Sequence, residues 1–310
     1  MQTVLSNEYL RVTIASQGAQ IISVKTANNR ECMWTAEKEL WDYHAPVLFP
    51  WTGRIKNKTF TKDGVLFKAD IHGFIRDEQF VCTEQSATSA HFQKNSDDST
   101  RRRFPYDFCF TQNFTLNGNT LRQTVSVTNT GKETMPFGLG YHPGFLCPFE
   151  KGKEAKEYSL FFDKVQKNAK CVVITQDGFA TEKLNDFMTG ESSIQLSDTF
   201  FSENSVCLTG LDSASVVLCE TSSNGHLPKE RQNTVCSSAL QAIEVGLSGF
   251  PFLLVWTAKS EKMRFLCIEP WHTLPDFAEA DAEWKKKKNL LHLAAGKTFS
   301  STLLLTFHTK

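Results

Sequence analysis

The feature that most limits what this chain can fold into is its texture: short runs of β-branched and aromatic residues, broken again and again by Gly, Asn, Asp and Ser. Tyr9-Leu10-Arg11-Val12-Thr13-Ile14 is followed by Gln20-Ile21-Ile22-Ser23-Val24. Similar runs recur at Phe108 to Leu116, Leu121 to Asn129, Ser215 to Glu220, Phe252 to Thr257, Arg264 to Glu269 and Ser301 to His308, with Asn117-Gly118-Asn119 between two of them as a turn. Helical periodicity is nearly absent. Such a chain predicts antiparallel hairpins, and 25 phenylalanines with six tryptophans suit stacked sheets whose inner faces need bulky filling. The expected fold class is all-β, a large antiparallel β-sandwich. At 310 residues and 40% hydrophobic the chain can bury a large core, and residues 1–310 are expected to form a single domain.

Charge and motif content narrow the partners. Lys plus Arg equals Asp plus Glu at 34 each, so no global field draws the chain to nucleic acid or to an anionic membrane, and a small uncharged ligand is expected. The first eight residues have neither a basic start nor an apolar stretch, and no segment reaches the ~20 apolar residues of a spanning helix, which predicts a cytoplasmic protein. Nine cysteines without a Cys-x-x-Cys read as reduced packing residues, and neither a disulfide framework nor a metal is expected. There is no Gly-x-Gly-x-x-Gly after a strand, no phosphate-binding loop, no Gly-x-Ser-x-Gly and no His-Glu-x-x-His, and no cofactor is expected. The basic runs Arg101 to Arg103 and Lys285 to Lys288 are assigned to solvated loops.

Two prolines single out an ionisable pair. Gly140-Tyr141-His142-Pro143 and Cys267-Ile268-Glu269-Pro270 each carry an apolar run into a titratable side chain, and proline's missing N–H places both at strand ends. His142 shares a strand face with Gly138 and Gly140, which leave room beside the imidazole. Glu269 follows a run that is largely apolar on both faces, so burial should raise its pKa. Arg54 after Gly53 offers a fixed fork of donors, and His72 before Gly73 has free space on one side. Singly, each of these is more often structural than functional.

In order along the chain, Leu48-Phe49-Pro50 with Gly53-Arg54, His72-Gly73-Phe74 with Arg76, His142-Pro143 with Phe145, and Ile268-Glu269-Pro270 with Asp276 make a set that resembles the aldose 1-epimerase family, in its LacX-like branch of galactose mutarotase-like proteins. The resemblance implies the family's β-supersandwich and a carbohydrate ligand, an aldohexose. It implies His142 as general acid, Glu269 as general base, His72 and Arg54 as sugar ligands, and Arg76 behind them. The family's sugar-binding carboxylate falls on Asn204, with Glu203 adjacent, a departure that bears on sugar preference because an amide donates as well as accepts.

The activity so implied is interconversion of the α and β anomers of a free hexose such as galactose. One group removes the proton of the anomeric hydroxyl and another protonates the ring oxygen, with His142 and Glu269 expected a pyranose-width apart across one pocket. Three alternatives stand beside it. A non-catalytic sugar-binding or regulatory protein would bind without turnover, and a hexose-phosphate 1-epimerase would grip phosphate with arginine. A glycosidase would need a second carboxylate, for which Asp276 is the candidate.

Overall fold

The computed structural model describes residues 1–201, 205–221 and 242–308. Nearly all of its regular structure is strand, and every pairing between its strands is antiparallel. The strands predicted from texture are all present, some extended by a residue or more at their ends, as in Phe108–Asn117, Thr120–Asn129 and Thr298–His308.

Those three strands lie side by side in a nine-stranded sheet, and alternation explains both of its faces. Phe108, Phe110, Phe114, Leu121, Val125, Val127, Leu303 and Leu305 point inward and are buried. On the outer face the same register pairs hydroxyls across strands: Thr120 with Thr306, Thr124 with Thr302, Ser126 with Ser300 and Thr128 with Thr298, at 2.8–3.0 Å. A second, eight-stranded sheet holds Ala180–Met188, Ala169–Ile174, Val206–Thr209, Phe252–Trp256, Phe265–Trp271, Gly140–Tyr141 and Val47–Leu48 in that order, with Gly144–Leu146 also paired to Phe265–Trp271. A three-stranded sheet of Gln2–Ser6, Leu10–Ala15 and Gln20–Thr26 adds to the same core.

The two large sheets meet through residues that sequence alternation sends inward. Tyr141 crosses to donate its hydroxyl to the Ser301 carbonyl at 2.8 Å, His272 Nε2 meets Ser301 Oγ at 2.7 Å, and Phe137 packs on Phe299. His142, one residue on from Tyr141, therefore faces the opposite side of its sheet.

Among the described residues no helix is long and apolar enough to cross a membrane, and Cys32, Cys82, Cys109, Cys147, Cys171, Cys207 and Cys267 carry free thiols. Lys287 corrects one expectation. It does not sit in a solvated loop but is buried, with its Nζ 2.6 Å from the equally buried Asp276 carboxylate and donating also to the Asp281 carbonyl. A buried ammonium needs such a partner, and Asp276 supplies it. Arg103 in the other basic run lies over Phe74 and pairs with Glu78, while Lys285, Lys286 and Lys288 are exposed.

Candidate active site

The strand pairing itself brings His142 to Glu269. Gly140 stands opposite Trp271 and Gly144 opposite Cys267, so residue 142 faces residue 269 across an antiparallel pair, with both side chains on one face. Ile268 and His272 donate their amides to the carbonyls of Pro143 and Leu139, and Pro270 between them has none to give. Glu269 does not end its strand, as its proline suggests; Phe265–Trp271 runs straight through Pro270, and the prolines thin the ladder on either side of the pair.

The space beside His142 is also used differently from the expectation. A Cβ at Gly140 would lie 2.7 Å from the Trp271 ring, one at Gly138 would lie 2.7 Å from Thr273 Oγ1, and one at Gly144 would lie 2.7 Å from the Trp41 ring. The glycines make room for protein. Trp41 thereby stacks on the imidazole with centroids 4.7 Å apart and 25° between planes, and Trp256 meets it edge-on at 5.9 Å. Trp41 is held in its loop by its own carbonyl, which accepts from Trp34 Nε1 at 2.8 Å.

His142 Nε2 and Glu269 Oε2 are 3.2 Å apart, with both side chains buried. No sugar fits between groups in contact, so the expected pyranose-wide gap is replaced by a pair that a ligand would approach from the cavity side. Burial dominates both titrations. It pushes the Glu269 carboxyl well above the usual carboxylate range, and it lowers His142 to about 3, with the Arg76 guanidinium adding to the fall. The neutral pair and the ion pair carry the same single proton; burial favours the neutral one.

His72 lies edge-on to both His142, at 5.3 Å, and Trp271, at 5.6 Å. Its Nδ1 accepts the Gly53 amide at 3.0 Å, and burial keeps the ring neutral, which leaves the proton on Nε2. Gly73 next to it gives no free space for a ligand: a Cβ there would lie 2.2 Å from the Phe49 carbonyl oxygen, so the glycine serves a close backbone approach. His72 itself holds a left-handed φ of 68°, a costly conformation for a non-glycine residue.

These residues line a cavity of about 460 Å³ with Arg54, Arg76, Tyr43, Trp41, Trp256, Trp271, Ser205 and the turn from Thr175 to Gly178. Asn204 and Glu203 lie outside the described residues, beside Ser205. Asp276 does not line the cavity: its carboxylate takes Lys287 and the Lys56 amide, its own amide donates to the Arg54 carbonyl, and the second carboxylate a glycosidase needs is not there among the described residues. Trp41, Tyr43, Trp256 and the Thr175 turn are the parts that motif reasoning did not assign; only their apolar or turn-forming character was visible, and pairing brings them here.

Six buried side-chain polar atoms lack a well-aligned hydrogen-bond partner among the described residues, and four of them belong to this cavity: His142 Nδ1, Glu269 Oε2, Trp271 Nε1 and Arg76 Nε; the Trp271 indole N–H still lies near enough to the Glu269 carboxyl to work against the rise that burial gives its pKa. Each such atom typically costs ~1–3 kcal/mol, so their convergence marks a place where a ligand's polar groups belong. Cys267 Sγ, His142 and Glu269 offer ligand atoms within 4.8 Å of one another, a sulfur, nitrogen and oxygen set that could hold a metal. Burial keeps the Cys267 thiol well above its ordinary pKa, which opposes the thiolate such a site requires.

Comparison with known proteins gives a consistent picture. The family model described as aldose 1-epimerase matches residues 1–306. The chromosomal protein LacX of Lactococcus lactis subsp. lactis is 31% identical over 277 residues, covering 87% of each chain. The crystal structure of a galactose mutarotase related enzyme from Lactobacillus acidophilus superposes with a TM-score of 0.87 at 29% identity, covering 100% of this chain and 98% of that one. A galactose mutarotase-like protein from Lactobacillus casei gives a TM-score of 0.86 at 25% identity, covering 99% and 100%.

Proposed function

This chain belongs to the aldose 1-epimerase family, and on that premise we propose that it interconverts the α and β anomers of an aldohexose by acid–base ring opening at His142 and Glu269. The single observation that carries the reading is the convergence of unpartnered buried polar atoms on one aromatic-walled cavity around that pair. Sugar hydroxyls each donate and accept, which suits an unpaired carboxyl oxygen, an indole N–H and a guanidinium N–H together. The flat indoles suit the C–H faces of a pyranose.

Contact between the two catalytic groups fits this reaction. The anomeric hydroxyl and the ring oxygen are bonded to the same carbon, so an acid and a base that touch can serve both. An anomeric O–H donated to Glu269 Oε2 favours the carboxylate and moves the pair's proton to His142. Glu269 then takes the hydroxyl proton while His142 protonates the ring oxygen, the open aldehyde rotates about C1–C2, and the roles reverse on closure. His72 Nε2–H and Arg54 steady charge on the oxygens.

Polarimetry of freshly dissolved α-galactose and α-glucose tests this. Glu269→Gln is expected to slow anomer relaxation at least ~10²-fold, about 2.7 kcal/mol of barrier, with the fold retained by circular dichroism. Relaxation at the wild-type rate would reject the assignment.

A further inference from the structure

His142 lacks the support that orients most catalytic histidines. In such groups a hydrogen bond at one ring nitrogen fixes the tautomer and the tilt that the other nitrogen needs. Here Nε2 meets Glu269, while Nδ1, a contact with its own backbone apart, has no well-aligned hydrogen-bond partner among the described residues. What bears on the imidazole instead is a ring, the Trp41 indole stacked on it at 4.7 Å. Whatever fixes Trp41 therefore fixes the imidazole.

Trp41 belongs to a loop whose residues from 35 to 43 are exposed or half-buried, so burial of the loop itself does not hold it. Trp34 does. It is fully buried and touches three segments at once. Its backbone amide donates to the Gly144 carbonyl at 2.9 Å, two residues from His142. Its ring lies on Phe265, the first residue of the strand that carries Glu269, with centroids 4.4 Å apart. Its indole N–H donates to the Trp41 carbonyl at 2.8 Å. Phe265 also faces Trp41, at 5.6 Å and 15° between planes, so Trp34, Phe265, Trp41 and His142 are stacked in succession. From outside, Glu37 closes the same loop: its carbonyl accepts the Trp41 amide at 2.8 Å, and its carboxylate takes both Nη atoms of Arg264, at 2.6 and 2.5 Å. An exposed ion pair contributes little by itself, whereas losing the buried indole N–H strips a carbonyl of its donor, so Trp34 is the stronger tie.

We propose that Trp34 is a positioning residue of the His142–Glu269 pair, holding the imidazole through Trp41 in the orientation that proton transfer needs. The proposal rests on the epimerase reading and adds to it a residue that does not line the cavity. A misplacement of ~1 Å at a reacting group costs ~10²-fold, so an imidazole free to tilt loses rate while the sugar's other contacts survive.

The test is Trp34→Phe, which keeps a ring on Phe265 and removes the N–H. Two readings are taken on the full chain: kcat and KM for anomer exchange of galactose and glucose, and the NMR signal of the His142 Cε1–H, assigned by its loss in His142→Gln. A stacked indole shields that proton, and Trp41→Ala gives its unshielded position. In Trp34→Phe the signal is expected to move toward the Trp41→Ala position, with kcat ~5-fold or more lower and KM changed by less than kcat. A signal left at the wild-type position, a smaller fall in kcat, or a loss taken up in KM would overturn the proposal. Should Trp34→Phe not fold, the same readings on Glu37→Gln, and on Glu37→Arg combined with Arg264→Glu, decide the matter. A shifted signal with slower turnover in the first and a return of both in the second support the proposal; any other pattern overturns it. The NMR reading needs no turnover. A wild-type chain that accelerates neither sugar would overturn the epimerase reading and this proposal with it, whereas an unmoved signal in an active enzyme overturns the role of Trp34 alone.

Discussion

His142 and Glu269 are shifted by burial in opposite directions, the imidazole down to about 3 and the carboxyl well up, and the pair consequently keeps one proton over a wide range. Below the imidazole's lowered value a second proton enters and the base is lost; above the carboxyl's raised value the only proton leaves and the acid is lost. The profile of kcat/KM against pH is therefore expected to show its acid limb near pH 3 and none near the ordinary carboxylate value, with the alkaline limb set by the raised Glu269 carboxyl. A limb centred near the ordinary histidine value of about 6.5 would show that His142 titrates as an exposed imidazole, and would count against the buried pair. At this scale the sequence singled out both members of the proposed pair and anticipated the upward shift of Glu269. It did not reveal that they touch, because contact depends on register rather than on either local motif.

At the scale of elements, the strand through Gly140, His142 and Gly144 works by alternating absent and present side chains. The two glycines admit Trp271 and Trp41, and the histidine stands between them. Gly144→Ala would place a methyl 2.7 Å from the Trp41 ring and 3.3 Å from the His44 carbonyl oxygen, which forces the indole off the imidazole. The expected result is a stability loss of ~1–3 kcal/mol in urea titration, a shift in tryptophan fluorescence and turnover at least ~10-fold slower. Unchanged fluorescence and turnover would mean that the stack is dispensable. A second element-level device is the knot under Arg54, where Asp276 holds Lys287, the Lys56 amide and the Arg54 carbonyl. Lys287→Met leaves the carboxylate buried without its cation and should cost about 3–5 kcal/mol by denaturant midpoint, with Asp276→Asn in the same chain recovering part of it. Nothing in the run of four lysines distinguishes residue 287, since the distinction is which one the chain folds over.

For the molecule as a whole, the two large sheets meet across an aromatic and aliphatic core, and the Tyr141 hydroxyl on the Ser301 carbonyl is a polar link between them. Tyr141→Phe keeps the ring but leaves that carbonyl without the donor, for an expected loss of ~1–3 kcal/mol in the same titration. A change under ~0.5 kcal/mol would show that another donor takes its place.

The strands, their inward and outward faces and the four ordered motifs were legible in the chain, because period-two alternation and turn chemistry act over a few residues. What folding alone decided is long-range. Antiparallel pairing set residue 142 against residue 269, the space left by three glycines went to two tryptophans and a threonine rather than to a ligand, and burial chose which charges survive: Lys287 and Asp276 as an ion pair, His142 and Glu269 as a neutral one. Register and desolvation depend on which distant segments pack together, and no local pattern encodes them.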